Sequence, residues 1–314
     1  MAHRLLLLAH LPPVLREKFA ALGPTDQLPD GPAREAFLRA RGGEYTIGVT
    51  HGTAGASAEL INALPNLQAI CSLGAGYDAV DMAALRARRV LLSNTPDVVN
   101  DCVADLTMGL IIDVARQVTT GDRYVRSGDW AKLGMAPLGV RVSGKRLGLI
   151  GMGRIGRVIA SRAQAFQMSI RYHARHRKTD LAYEFEASLP ELARWSDFLV
   201  VAVTGGEATR GLVSTAVLEA LGPSGFLVNI ARGPIVDEAA LVAALQRHRI
   251  AGAALDVFAD EPHVPKALLA MDNVVLTPHI GTATRETRGA MARLVIDNVR
   301  SFLDTGRLLT PVHD

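Results

Sequence analysis

Leu147-Gly148-Leu149-Ile150-Gly151-Met152-Gly153-Arg154-Ile155-Gly156 is the stretch that decides the fold. Leu147–Ile150 reads as a buried strand, and three glycines follow at G-x-G-x-x-G spacing. Arg157 to Phe166 then reads as a helix. Glycines at this spacing are common in turns, and one reading is a turn that binds nothing. A strand before and a helix after make the pattern specific. Gly151 permits a tight turn, Gly153 lets phosphates approach the backbone, and Gly156 lets helix and strand pack closely. Free N–H groups at the helix start then attract a pyrophosphate. The stretch is read as the phosphate turn of a dinucleotide-binding domain.

Short apolar runs flank it on both sides. Strands are expected at Arg4–Leu8, Thr46–Thr50, Gln68–Leu73, Ser169–His173, Phe198–Val203, Phe226–Ile230, Gly252–Val257 and Val274–Thr277. Helical patterns lie between most of them, which predicts an α/β fold with parallel sheets covered on both faces. Val103, Leu106, Leu110, Val114 and Val118 recur at helical spacing after Pro96, a natural handover between domains. The glycine turn comes halfway along the chain, so a first, non-cofactor domain precedes it. A last helix, roughly Arg285 to Leu303, is expected to return to that domain.

The 314 residues are 49% hydrophobic and 21% charged, an ordinary globular balance with room for two domains. The net charge of +3 spreads 34 basic against 31 acidic residues, which argues against a nucleic-acid partner. No run is long and apolar enough to span a membrane, and the Leu5–Leu8 run reads as a strand rather than a leader. Cys71 and Cys102 sit in apolar runs and read as buried hydrophobes in a reducing, cytoplasmic setting. No Cys/His spacing suggests a metal.

The second strand of the cofactor domain ends without a carboxylate. An NAD site usually has Asp or Glu there, accepting from the ribose hydroxyls. Here Ser169–His173 runs into Ala174-Arg175-His176-Arg177-Lys178. An acid would repel a 2′-phosphate, whereas guanidinium groups attract and chelate it. NADP(H) is therefore expected over NAD(H), with NAD(H) as the alternative. A solvated basic loop is the bland reading.

Three polar residues follow predicted strands in the second half: Arg232, Glu261 and His279. Ligands of open α/β sheets bind at such carboxyl ends. Each has an ordinary structural explanation alone. Together they supply a cation for a carboxylate, an acid for a carbonyl oxygen and a partner for that acid, as hydride transfer to a 2-oxo acid requires.

The chain resembles the D-isomer-specific 2-hydroxyacid dehydrogenases. The resemblance rests on Gly151–Gly156, Asn229–Asp237, Ala253–Pro262 and Leu276–Gly281, in order and spacing, and covers nearly the whole chain. Within the family it is most similar to the glyoxylate/hydroxypyruvate reductase and hydroxyphenylpyruvate reductase branch, through Asp122–Gly128 and the loop at Arg175.

The resemblance implies a flavodoxin-like substrate domain, residues 1–98 and 285–314, into which a Rossmann domain, residues 99–284, is inserted. It implies a homodimer formed through the cofactor domain and the arm around Trp130. Arg232 would bind the substrate carboxylate, His279 would be the acid, and Glu261 would orient His279. Gly151, Gly153, Arg154, Ile155, Gly156, Arg175, His176, Arg177, Val203, Ile230, Ala231, Asp256 and Gly281 would line the cofactor, with Asp256 near the nicotinamide carboxamide. Leu73, Gly74, Ala75 and Gly76 match the loop that offers N–H groups to the substrate carboxylate. His51, Leu73, Tyr77 and Trp130 are candidates for sizing the substrate side chain. Formate dehydrogenases of the superfamily carry Gln where Glu261 stands. The implied activity is reduction of a glyoxylate- or hydroxypyruvate-type 2-oxo acid. Reduction of aromatic or sugar-derived 2-oxo acids, and a cofactor-sensing corepressor scaffold, are the alternatives.

Overall fold

A computed structural model describes residues 3–313. They divide into two compact units: one takes the residues up to Val99 and those from Thr284 on, the other Asn100–Ala283.

The first unit holds β1 (Leu5–Leu7), β2 (Thr25–Gln27), β3 (Ile47–His51), β4 (Ala69–Leu73) and β5 (Leu91–Ser93). The strands are parallel in the order β2-β1-β3-β4-β5, the flavodoxin-like arrangement. Side chains alternate between two cores. Leu5, Leu7, Ile47, Val49 and Cys71 pack with Val295, Val299 and Phe302 of the helix Arg285–Thr305. Leu6, Ile70 and Leu92 face the opposite way, onto Tyr45, Leu60, Ile61 and Leu64. Burial on both faces is why these strands read as continuous apolar runs. Cys71 lies wholly inside, and burial pushes its thiol up to about 12, so it behaves as a core residue. Cys102 is only partly buried, so the expectation of a second core thiol needs correcting.

The second unit holds β6 (Arg146–Ile150), β7 (Ser169–His173), β8 (Glu184–Phe185), β9 (Phe198–Val201), β10 (Phe226–Asn229), β11 (Gly252–Leu255) and β12 (Val274–Leu276). All are parallel, in the order β12-β11-β10-β9-β6-β7-β8. The order reverses between β6 and β9, the place where such sheets receive dinucleotides. Stacked rings of Phe198 and Phe226, with centroids 5.2 Å apart, join β9 to β10.

The helix Asn100–Arg116 ends earlier than the apolar spacing predicts. Gln117 turns left-handed at φ 55°, and Val118 opens a separate helix with 55% of its surface exposed. The Asp113 carboxylate accepts the Thr119 N–H at 2.8 Å and also the Thr119 hydroxyl. A side-chain acceptor for the new helix start competes with continuation of the old one.

Asn298, with no exposed surface, ties the last helix to the chain that follows it. Its Nδ2 donates to Leu294 O at 2.8 Å and Thr310 Oγ1 at 3.0 Å, while Oδ1 accepts the N–H groups of Leu309 and Thr310 at 3.0 Å each. Asn298→Ala takes the acceptor from the Leu309 and Thr310 N–H groups. It should destabilise the fold by about 1–3 kcal/mol, read as a lower urea midpoint. An unchanged midpoint would count against this tie.

Candidate active site

β6 delivers the chain into the glycine turn. Gly151 has φ 106°, and a Cβ there would lie 2.5 Å from the Ala202 carbonyl oxygen. A Cβ on Gly156 would meet the Gly151 carbonyl oxygen at 2.3 Å. Both positions therefore demand glycine. Around Gly153 a Cβ would meet nothing within 4 Å, so the turn is open on the side where a phosphate approaches. The helix Arg154–Ala165 starts inside the motif, three residues earlier than expected, and no side chain caps it. Its first N–H groups fit a pyrophosphate. Val203 flanks Gly151, and Ile230 and Ala231, each 9% exposed, follow β10.

At the end of β7, Arg175, His176 and Arg177 are exposed, with no ion-pair partner among the described residues. The carboxylates nearest in sequence are committed elsewhere. Asp180 pairs with Arg157 at 2.7 Å, and Glu184 with Arg171 at 2.8 Å. The positive charge at the loop tip is left for a ligand.

Three loops at the carboxyl ends of β10, β11 and β12 carry the polar residues. Glu261 and His279 meet directly: Nδ1 of His279 lies 2.7 Å from Oε2 of Glu261. An ionised carboxylate can only accept, so Nδ1 is the donor in this bond. The other Glu261 oxygen accepts the Phe258 N–H at 3.1 Å, which fixes the carboxylate. Both side chains remain about 30% exposed, His279 at 32% and Glu261 at 29%. The Arg232 loop packs against the same segment: a Cβ on Gly233 would lie 1.9 Å from the Phe258 carbonyl carbon. Arg232 itself is half-buried and donates through Nη1 to Ala231 O at 2.8 Å.

Two bracing residues escape a reading of the sequence. Asn229, 1% exposed, accepts the Ala231 N–H at 3.1 Å and donates to Arg232 O at 2.9 Å. Thr277 donates its hydroxyl to Asp256 at 2.7 Å. The available signal was a polar residue closing an apolar strand, as in Phe226-Leu227-Val228-Asn229. Asp256 takes further bonds from the same turn. It is 1% exposed, and Oδ1 also accepts the Ile280 N–H while Oδ2 accepts the Gly281 N–H, both at 2.8 Å. Its carboxylate holds the turn that carries His279, whose φ is 52°.

In the first unit, β3 and β4 end side by side, with His51 in register with Leu73. Gly74 has φ 132°, and its N–H donates to Thr95 Oγ1 at 2.9 Å. Of the expected donors, Gly74 is thus already engaged. His51 Nδ1 accepts the Ala54 N–H at 3.3 Å, which puts its neutral proton on Nε2. Burial, and then the Arg288 charge, hold its pKa below the usual histidine value. Trp130 lies 60% exposed in the helix Asp129–Leu133.

Residues 108–281 match the family model of the D-isomer specific 2-hydroxyacid dehydrogenase NAD binding domain. Glyoxylate/hydroxypyruvate reductase A of Arabidopsis thaliana is 46% identical over 281 residues, 90% of each chain. The hydroxyphenylpyruvate reductase of Plectranthus scutellarioides is equally similar, 46% over 281 residues and 90% of each. A crystal structure of the NADPH-dependent glyoxylate/hydroxypyruvate reductase of Sinorhizobium meliloti, with NADP and malonate, superposes with a TM-score of 0.94. It is 39% identical and covers 99% of this chain and 97% of that one. The chain belongs to the D-isomer-specific 2-hydroxyacid dehydrogenases, nicotinamide-dependent enzymes that interconvert 2-oxo acids and D-2-hydroxy acids.

Replacing Asp256 by Ala removes the acceptor for three donors around His279. We expect a lower melting temperature and a kcat reduced roughly 10- to 100-fold, since small displacements of an acid are costly. Wild-type kcat in a folded Asp256→Ala protein would show that the turn holds without it.

Proposed function

We propose that this enzyme reduces a short 2-oxo acid of the glyoxylate/hydroxypyruvate type to the D-2-hydroxy acid, using NADPH. The observation that carries the reading is the 2.7 Å pair of His279 and Glu261, on a segment packed against the Arg232 loop. The names of the relatives support the substrate class, and the unneutralised Arg175–Arg177 tip supports the cofactor.

The glycine turn and the first amides of the helix Arg154–Ala165 would hold the pyrophosphate, and Arg175, His176 and Arg177 the 2′-phosphate. When bound, the nicotinamide supplies the hydride for substrate C2. Arg232 binds the substrate carboxylate and stabilises the oxygen as negative charge develops on it. The Nε2–H of protonated His279 gives its proton to that oxygen. Glu261 accepts from Nδ1–H throughout, which orients the ring and offsets its positive charge.

The assembly we infer is a homodimer. Val125, Trp130, Leu133, Met135 and Leu138 are 55–91% exposed within a short span of the second unit. Such a cluster on a soluble chain marks a protein contact. Light scattering after gel filtration should give twice the chain mass, and Leu133→Glu with Leu138→Glu should shift it toward the monomer. A monomeric wild type would rule the dimer out.

His279→Asn should lower kcat for glyoxylate reduction by about 10² to 10⁴; near-normal turnover would remove His279 as the acid. Initial rates should give a higher kcat/KM with NADPH than with NADH, and Arg175→Asp should move the ratio toward NADH by about tenfold or more. Equal efficiency with both cofactors would refute the electrostatic reading.

A further inference from the structure

The basic loop after β7 is closed by a buried phenol. Tyr172 has no exposed surface, and its ring packs on Phe185 with centroids 5.5 Å apart. Its hydroxyl sits at the far end of the loop, six residues on. It accepts the Lys178 N–H at 2.7 Å and donates to the Lys178 carbonyl at 3.3 Å. Phenylalanine would fill the same space, so packing does not call for the oxygen. A buried hydroxyl is costly unless bonded, and here both of its bonds go to one backbone residue of the loop.

Other ties fix the segments around it. Glu186 donates its N–H to the Tyr172 carbonyl at 2.8 Å, and the His173 ring contacts the Glu186 carbonyl at 3.1 Å. Beyond the loop, Asp180 receives both Arg157 terminal nitrogens at 2.7 and 3.2 Å. Arg157 belongs to the helix that begins in the glycine turn. The loop carrying Arg175, His176 and Arg177 is thus held at both ends while its tip is exposed.

We propose that Tyr172 is a positioning residue for 2′-phosphate recognition, its hydroxyl latching the loop so that Arg175 and Arg177 are preorganised for that phosphate. The inference rests on the NADPH reading above. Like charges crowded on a free loop repel and spread, and a ligand would have to supply the ordering free energy on binding. The latch moves that cost into folding. The adenosine 2′-phosphate is what the loop reads, so the latch acts on selectivity rather than on hydride transfer.

The test uses full-length wild type and Tyr172→Phe. Hydrogen exchange on the wild type should show the Lys178 amide protected, and in the variant it should exchange faster. Calorimetry should show adenosine 2′,5′-bisphosphate binding weakened roughly five- to twentyfold in the variant. Binding of 5′-AMP should stay within about twofold, since it lacks only the phosphate the loop reads. KM for NADPH should rise in parallel, with kcat held. A freely exchanging Lys178 amide in the wild type overturns the latch, whether or not the variant folds. Undiminished discrimination in a folded Tyr172→Phe also overturns it and leaves the cofactor reading standing. Equal binding of the two probes by the wild type instead removes the cofactor reading, and the selectivity role of Tyr172 with it.

Discussion

The Asp256 carboxylate is buried to 1% exposure and accepts from the Thr277 hydroxyl and from the N–H groups of Ile280 and Gly281. A charge removed from water in this way is tolerable only when its oxygens are saturated with donors. Saturation here means that the chain after β12 must fold back over the end of β11. That return places His279 at φ 52°, in the left-handed region that few non-glycine residues occupy. It also demands a small residue at position 281, where a Cβ would stand 3.1 Å from Asp256 Oδ2. The position of His279 thus follows from the donors that the Asp256 carboxylate gathers.

Glu261 reaches His279 by a separate route. Its carboxylate is held by its own local turn through Phe258 N–H, and that turn lies against the glycine beside Arg232. A Cβ at Gly233 would drive the two backbones apart. Arg232, Glu261 and His279 are therefore coupled through backbone contacts of short loops, rooted in the buried ends of β10 and β11 and the half-buried end of β12. Sites rooted in rigid strands keep the tolerances that proton transfer needs. Asn229 completes the coupling, satisfying Ala231 N–H and the Arg232 carbonyl from inside the sheet.

Much of this could be read from the residues, for reasons that differ by element. Strands buried on both faces, such as Phe226–Asn229 and Ile47–His51, are apolar runs because both faces need apolar side chains. The strands that escaped notice are β2, β5 and β8, all at sheet edges. Thr25-Asp26-Gln27 and Glu184-Phe185 bury too little to leave a pattern, and pair because a neighbouring strand offers free backbone groups. The positions of Arg232, Glu261 and His279 were legible because each is a polar residue just past a strand end. Bracing residues were not. That Asp256 takes three backbone and hydroxyl donors shows only in the geometry.

The sheet itself explains how one edge can serve two unrelated tasks. All seven strands of the second unit run parallel, so every carboxyl end lies along one side. Between β7 and β10 there are three strand spacings, roughly 14 Å, and between β7 and β12 five, roughly 24 Å. The β6–β9 reversal, where such sheets receive dinucleotides, lies between the β7 loop and the β10–β12 loops. The Arg175–Arg177 loop can therefore change its charge without disturbing the His279 turn, because no ion pair or hydrogen bond among the described residues joins the two. What the two share is the sheet: the same continuous parallel core that sets β7 beside β6 also sets β12 beside β11. The β7 loop and the β10–β12 loops are separable in residues and inseparable in scaffold.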